Sequence, residues 1–486
     1  MGAFLKKIDS HLLDPVSPYT LAVFRFFFGS LMVWETNRYI EKIHFQWGIS
    51  KTFFPFQIFS FLPVLNEYQM NIAHIVMCIA AALIALGVFF RFGCFIFFTI
   101  YSYIFVIEKS YYNNHYYLII LLTFLLGFTS ADKVLSVKSI LSKTYIDTSI
   151  PFWQILIIRI QLVIVYVGGA IAKINCDWLR GEPMARFLSH NFDMPYVGKY
   201  FHLKPVILFF AYGGFLFDLL IAPALLWRRT RIPALVTLVF FHTMNNNLFS
   251  IGVFPYLGIA SAAIFLEPDL PKVLLHKFLG VFKFKNTKLN QDTNQRASFS
   301  NTTYILKRNF LCLYFLIQLL LPFRHLLFNG NVSWTEEGHN FSWHMKLRAK
   351  HAVAIFRVVD AETGKLSKVN QYEFINASQA RKLTTRPIMI RQFANFLANK
   401  YKERGFINPK VFVVNPASLN GRPYQFLVRP DVDLVTVKES MFSSSDWIVP
   451  LKENQEIGNY NRLIERTELI NEAMKIDLVK LSKSKE

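Results

Sequence analysis

Cysteine is nearly absent: four in 486 residues (Cys78, Cys94, Cys176, Cys312), none in CxxC spacing and most inside apolar runs, so neither a disulfide framework nor a thiolate metal site is indicated. Acidic residues are scarce too, 32 against 53 Lys and Arg, for a formal net charge of +21. No phosphate-cradling glycine loop, HExxH, GxSxG or internal repeat occurs, which removes the nucleotide, metalloprotease and serine-hydrolase classes that carry those motifs. The amino terminus is polar (Lys6, Lys7, Asp9), and the first apolar run, from Leu21, has no small-residue cleavage site, so no cleaved signal is expected.

Apolar surface is what the chain has in excess. With 53% hydrophobic residues, 50 Phe and a mean hydropathy of +0.30, it exceeds the needs of a soluble core, and the surplus lies in long runs. The pattern predicts a polytopic α-helical membrane protein of about nine spans, near residues 20–36, 71–90, 93–107, 116–130, 152–173, 206–227, 232–246, 250–267 and 309–328. Basic residues flank these runs instead of alternating with aromatics on one soluble face, which argues against nucleic acid and for a topology signal. With the amino terminus inside, the richest basic block, from Lys272 to Arg308, falls on an intracellular connection, and the carboxy-terminal part is extracytoplasmic. Residues 1–328 then form a transmembrane domain with an inner loop at 268–308, whose stretch 286–303 is polar. Residues 329–486 form a mixed α/β, β-rich domain.

In that domain residues 353–360 read as a strand running into a turn at Gly364. Strands at 411–414 and 424–428 flank Asn420-Gly421, a hairpin signal, and Ile388, Ile390, Phe393, Phe396, Leu397 and Tyr401 recur at helical spacing. A charged amphipathic helix is expected from Asn461.

Tyr166-Val-Gly-Gly-Ala-Ile-Ala-Lys173-Ile-Asn-Cys-Asp177-Trp178 ends an apolar helix on a lysine. Such a lysine either snorkels to the headgroups or, stripped of water, becomes a basic amine. The topology brings Asn113-Asn114-His115, Lys173, His242 with Asn245 to Asn247, and Arg324-His325 to the same outer face. Singly, each has a plainer reading as an interfacial histidine, a satisfied core histidine or a headgroup anchor. Together they line a cavity suited to an amphiphile with an ionisable head, such as a quinol. Arg25, Arg159 and Asp218 lie deeper, and pairing of Asp218 with one arginine is the expected arrangement.

At this point the chain resembles the vitamin K-dependent gamma-carboxylase family. The matching pieces are Leu21-Ala-Val-Phe-Arg25-Phe-Phe-Phe-Gly29, Asn113-Asn-His115-Tyr-Tyr-Leu118, Arg159 through Trp178, and Phe241-His-Thr-Met-Asn245 through Gly252. Beyond the membrane come Asn329-Gly-Asn-Val-Ser-Trp334, Phe341-Ser-Trp343-His-Met345, Tyr424-Gln-Phe-Leu-Val-Arg-Pro430 and Val432-Asp433. The resemblance implies vitamin K hydroquinone, O2 and CO2 as co-substrates, no metal, and carboxylation of glutamate in a protein or peptide, coupled to quinol epoxidation. It makes Lys173 the initiating base and His115 the residue that orients the quinol or stabilises its oxyanion. Asn114, His242, Asn245, Trp178 and Met345 are the expected quinol contacts. Ser342, Trp343, Arg348 and Lys350 are expected to present the glutamate, although a basic linker bound to lipid headgroups has the same composition.

Some positions depart from the animal enzymes. Those join the first outer loop to the distal domain by a disulfide, yet residues 38–70 and everything after Cys312 lack cysteine. Ala172 replaces a lysine, and His344 and Lys346 stand where animal members have an acid and a methionine. A microbial plasma membrane therefore fits better than the endoplasmic reticulum. Two other functions remain compatible with the residues: quinol epoxidation without carboxylation, and a non-enzymatic quinone or lipid carrier.

Overall fold

The computed structural model describes residues 9–141, 149–249, 251–278, 301–453 and 462–483. The predicted polar inner stretch 286–303 falls outside them up to residue 300, and the last apolar helix already starts at Asn301.

Among the described residues the longer helices of the apolar part are α1 (Tyr19–Ile40), α2 (Glu67–Leu86), α3 (Phe90–Ile107), α4 (Asn114–Gly127), α5 (Trp153–Ala172), α6 (Lys204–Leu226), α7 (Arg231–Phe249), α8 (Phe254–Ala262) and α9 (Asn301–Leu320). Their ends are written locally. Asn66 opens α2 with a capping box, its side chain accepting from Gln69 N at 2.9 Å while Gln69 Oε1 accepts from Asn66 N at 3.0 Å, and Gly87 closes it at φ +68°. All nine predicted segments are helical, but among the described residues only five helices, α2, α3, α5, α6 and 304–327, are long and apolar enough to cross a membrane. Asn114–Gly127 and Phe254–Phe265 are shorter, and α1 and α7 carry Arg25, Glu35, Arg38 and three asparagines that dilute their apolarity.

Close approach within the bundle depends on small residues. A Cβ on Gly29 of α1 would collide with the backbone of Ala85 in α2, so these two helices pack backbone to backbone. The expected Asp218–arginine pair does not form. Arg25 instead donates to the carbonyls of Ile84 (2.7 Å) and Ala131 (3.1 Å), capping the end of α2, and Arg159 donates to Ile264 O (2.8 Å) and Leu266 O (3.2 Å). Exposed helix-end carbonyls carry partial negative charge and satisfy a guanidinium without a carboxylate.

Among its described residues the distal part holds six short strands: β1 (Lys350–Ala352), β2 (Ile355–Asp360), β3 (Leu366–Lys368), β4 (Pro409–Val414), β5 (Pro416–Leu419) and β6 (Gln425–Phe426). They form two antiparallel sheets ordered β3-β2-β4 and β1-β5-β6. Helix α10 (Pro387–Glu403) covers the first sheet, burying Ile390, Phe393, Leu397 and Tyr401. The predicted turn at Asn420-Gly421 is present, with both residues at positive φ, but it joins β5 to β6. Residues 411–414, assigned from sequence to that hairpin, pair with β2 in the other sheet, Ile355 opposite Val414. A run of four apolar residues buried on both faces does not reveal its neighbour.

The loop between α1 and α2 is sewn to the distal part without cysteine. Phe54 is fully buried in the distal core. Ser50 Oγ donates to Gln379 Oε1 (2.7 Å), and Gln379 Nε2 donates to Glu108 Oε2 (2.8 Å) and Thr52 O (3.1 Å). Asn376 Nδ2 donates to Ser50 Oγ at 2.9 Å.

Candidate active site

Helix α5 ends at Lys173 with two glycines just before it, and both are needed for what packs there. A Cβ on Gly168 would lie 2.8 Å from Trp343 Cδ1; one on Gly169 would lie 2.9 Å from Asp218 Oδ2 and 3.1 Å from Met345 Cε. The helix surface is thereby opened to a carboxylate from α6 and to two side chains of the segment 339–348. Lys173 Nζ donates to Asp218 Oδ2 in a short contact and to Gly169 O at 3.3 Å, and lies 5.3 Å from the centroid of Trp178. The lysine and aspartate side chains are 8% and 10% exposed, which closes the pair to water. The sequence reading paired Asp218 with an arginine and gave this desolvated lysine no carboxylate partner; the structure pairs the two with each other.

A second group of polar side chains gathers around Phe254 and Tyr166. His115, at the start of α4, stacks on Phe254 at 4.2 Å, and His242 meets that ring edge-on at 5.6 Å. Tyr166 Oη and His242 Nε2 are 3.2 Å apart, and Phe217, next to Asp218, touches both Tyr166 and His242. Among the described residues His115 Nδ1, His242 Nδ1 and Trp343 Nε1 are buried without a hydrogen-bond partner. Buried polar atoms in a native site normally have partners, so three unpaired donors or acceptors along aromatic walls suit a ligand that carries hydroxyl or carbonyl groups.

Segment 339–348 straps the site. Asn114 Nδ2 donates to His344 O (3.2 Å), Tyr112 Oη donates to Asn114 Oδ1 (2.8 Å), and Phe341 N donates to Tyr112 Oη (2.6 Å). Phe341, Trp343 and Lys346 adopt positive φ (69°, 55° and 55°), a conformation unfavourable for side chains of this size. Three such residues in a short segment persist only because tertiary contacts hold them. The rings of His325 and His344 approach to 4.7 Å, which brings the exit of α9 to the strap. Burial, with His325 and Arg348 adding to it, pushes the His344 imidazole down to about 3, and burial holds His339 well below its usual value.

The predicted residues divide into groups. Lys173, Trp178 and Met345 meet at the Asp218 pair, while His115 and His242 meet at Phe254. Asn114 is engaged in tying down the strap. Ser342 Oγ donates to His339 O, and Trp343 is a fully buried wedge that stacks on Tyr117 at 5.2 Å. Asn245 lies one turn beyond His242 on α7 and is half-buried. Arg348 Nη2 and Lys350 Nζ both bind Glu336, at 2.7 and 3.1 Å, and Lys350 also donates to Trp334 O (2.6 Å) and Thr385 O (2.9 Å). Burial, partly opposed by Glu336, draws the Lys350 ammonium down to about 8.

Residues 13–270 match the HTTM domain, and residues 303–454 match the lumenal domain of vitamin K-dependent gamma-carboxylase. The chain belongs to the vitamin K-dependent gamma-carboxylase family. No solved structure matches it. The lumenal-domain match includes the strap, β1–β6 and α10, and with the apolar helices it makes the chain a membrane protein with an extracytoplasmic carboxy-terminal domain.

Within this carboxylase-family site, sequence reasoning missed several partners. Asp177 receives Arg422 through two bonds of 2.7 Å and Asn420 Nδ2 at 2.8 Å, so the hairpin turn of the lumenal domain grips the residue just before Trp178. Burial alone raises the Asp177 carboxyl, but these partners outweigh it and hold it below the usual carboxylate range. Glu336 and Phe254 also escaped notice, and Tyr166 was quoted within its motif without a role. Asp218 carried a signal, being an acid inside an apolar helix that requires a partner. Its partner was assigned wrongly.

Proposed function

We propose that this chain carboxylates glutamate in a protein or peptide, using reduced vitamin K and O2, with Lys173 as the initiating base. The observation that carries the reading is a water-excluded Lys173 paired with Asp218, whose chain neighbour Phe217 meets Tyr166 and His242, while His115 and His242 share Phe254 and each has a ring nitrogen without a partner among the described residues. On this reading a naphthoquinol binds beside Phe254 and Tyr166, and the unpaired nitrogens of His115 and His242 are the partners for its two hydroxyls. The quinol is a co-substrate that leaves as its epoxide, and its oxygenation supplies the strong base that takes the glutamate γ-proton before CO2 is captured. Lys173 removes the first quinol proton, and His115 stabilises the oxyanion that develops, a role worth about 3 kcal/mol for one donor in a dry site. Met345 and Trp178 enclose the lysine, and the strap excludes water from the strong base.

One observation favours a narrower activity. Arg348 and Lys350, the expected holders of the substrate carboxylate, are occupied by Glu336. Quinol epoxidation without carboxylation is the second reading.

Purified protein in nanodiscs, given reduced vitamin K, O2, labelled bicarbonate and a glutamate peptide, separates them. Epoxide and fixed label, both lost in Lys173→Ala and partly restored by a small exogenous amine, are expected. Epoxide without label across a panel of glutamate peptides would select the second reading. Unchanged epoxide in Lys173→Ala would end the base assignment.

A further inference from the structure

An ammonium formed at Lys173 has nowhere obvious to discharge. Its side chain and that of Asp218 are shut away from water, and a base that must act repeatedly needs an outlet for its proton. Among the described residues Asp218 is the only acid in contact with it, and Lys173 is the only charged group that contacts Asp218. The surroundings are shaped for this pair: Gly169 clears the space that Asp218 Oδ2 occupies, and Gly214, on the same helix as Asp218, sits under Trp178, whose Nε1 donates to Ala211 O at 2.9 Å.

A buried ion pair gives little net stability relative to an apolar packing of the same volume, so stability alone is a weak reason to keep it. We propose that Asp218 is the proton acceptor behind Lys173, a positioning and relay residue for the first step of the reaction. This rests on the reading of Lys173 as the initiating base. At rest the pair is ammonium and carboxylate. One N–H bond of Lys173 breaks as an O–H bond forms on Asp218 Oδ2, which leaves an amine facing the quinol. The quinol O–H bond then breaks and an N–H bond forms on Lys173. The step ends with a lysine ammonium, an aspartic acid and a quinol monoanion; one proton has moved from quinol to Asp218 and no oxidant is consumed. The relay supplies the acceptor for the first step alone; the cycle closes when the O–H bond on Asp218 breaks and its proton leaves on the new γ-carboxylate, one proton being released overall per carboxylation.

The test mixes reduced vitamin K with the full-length protein in nanodiscs under anaerobic conditions, so that turnover stops after proton transfer. Near-ultraviolet absorbance reports the quinol monoanion, and infrared difference spectra of protein carrying isotope-labelled aspartate report a protonated aspartic acid. The expected result is both signals in the wild type, loss of the aspartic acid band in Asp218→Asn, and its return at a carboxylic-acid frequency in Asp218→Glu. Under O2, Asp218→Asn is expected to lower kcat for epoxidation by about 100-fold, in the range of a general acid–base contribution, with little change in KM. A quinol monoanion without the aspartic acid band in the wild type overturns the relay while leaving Lys173 as the base. Since that comparison needs no variant, a misfolded Asp218→Asn does not obscure it. Wild-type yields of monoanion in Lys173→Ala overturn the base reading, and the relay with it.

Discussion

At Gly169 a single methyl group decides whether the site can assemble. The Cβ of Gly169→Ala would press on Asp218 Oδ2, and although the flexible end of Met345 can give way, the carboxylate is held by Lys173 and can move only by disturbing that contact. Quinol epoxidation is expected to drop at least about tenfold, as misplacement of a reacting group does, with helix content by circular dichroism unchanged. Wild-type turnover in this variant would mean that the Asp218 contact is dispensable. The sequence pointed to Lys173 because a lysine at the end of an apolar helix is rare. It pointed to His115 and His242 because histidines at membrane depth need a reason. Asp218 was visible but misassigned, since composition shows that a buried acid needs a cation without showing which of several helices will face it.

Between elements, two junctions hold the lumenal domain on the bundle. Arg422→Ala leaves Asp177 buried without its cation and is expected to destabilise the protein by about 3–5 kcal/mol, seen as a lower midpoint in thermal unfolding. The same change should raise proteolysis of the hairpin around Asn420. Gln379→Ala removes a donor from buried Glu108 and an acceptor from Ser50, and about 1–3 kcal/mol is the expected loss by the same assay. No shift in either variant would show that the junctions are held by apolar packing, for which Phe54 in the distal core is the obvious source. This clasp joins the two parts that the family resemblance led one to expect a disulfide to join in animal members. The lack of cysteine in residues 38–70 excluded that bond from sequence alone, whereas the replacement by Ser50, Gln379 and Glu108 was illegible because its members are 58 to 329 residues apart.

For the whole molecule, pH acts through the histidines of the strap. His344, held at about 3, and His339, held well below its usual value, are neutral in the folded state and gain protons more readily once unfolded, near pH 6.5. Their contribution to stability is fully present above about pH 6.5 and is lost as the pH falls toward 3. Thermal midpoints in nanodiscs should therefore fall over that acid limb, and His344→Gln should flatten the fall. An acid limb of the same slope in the variant would remove His344 from the account.

The amino-acid sequence by itself determined that this is a helical membrane protein, where its apolar helices lie, and that a polar, sheet-containing part follows them, because those properties are summed along neighbouring residues. Through its motifs it also identified the family. Only the tertiary structure decided that Lys173 meets Asp218, that Arg25 and Arg159 turn to backbone carbonyls, that Glu336 occupies Arg348 and Lys350, and that residues 411–414 join β2. Each of those outcomes depends on which distant surfaces come together when water is excluded, and a buried charge accepts whichever complementary partner the packing brings within reach.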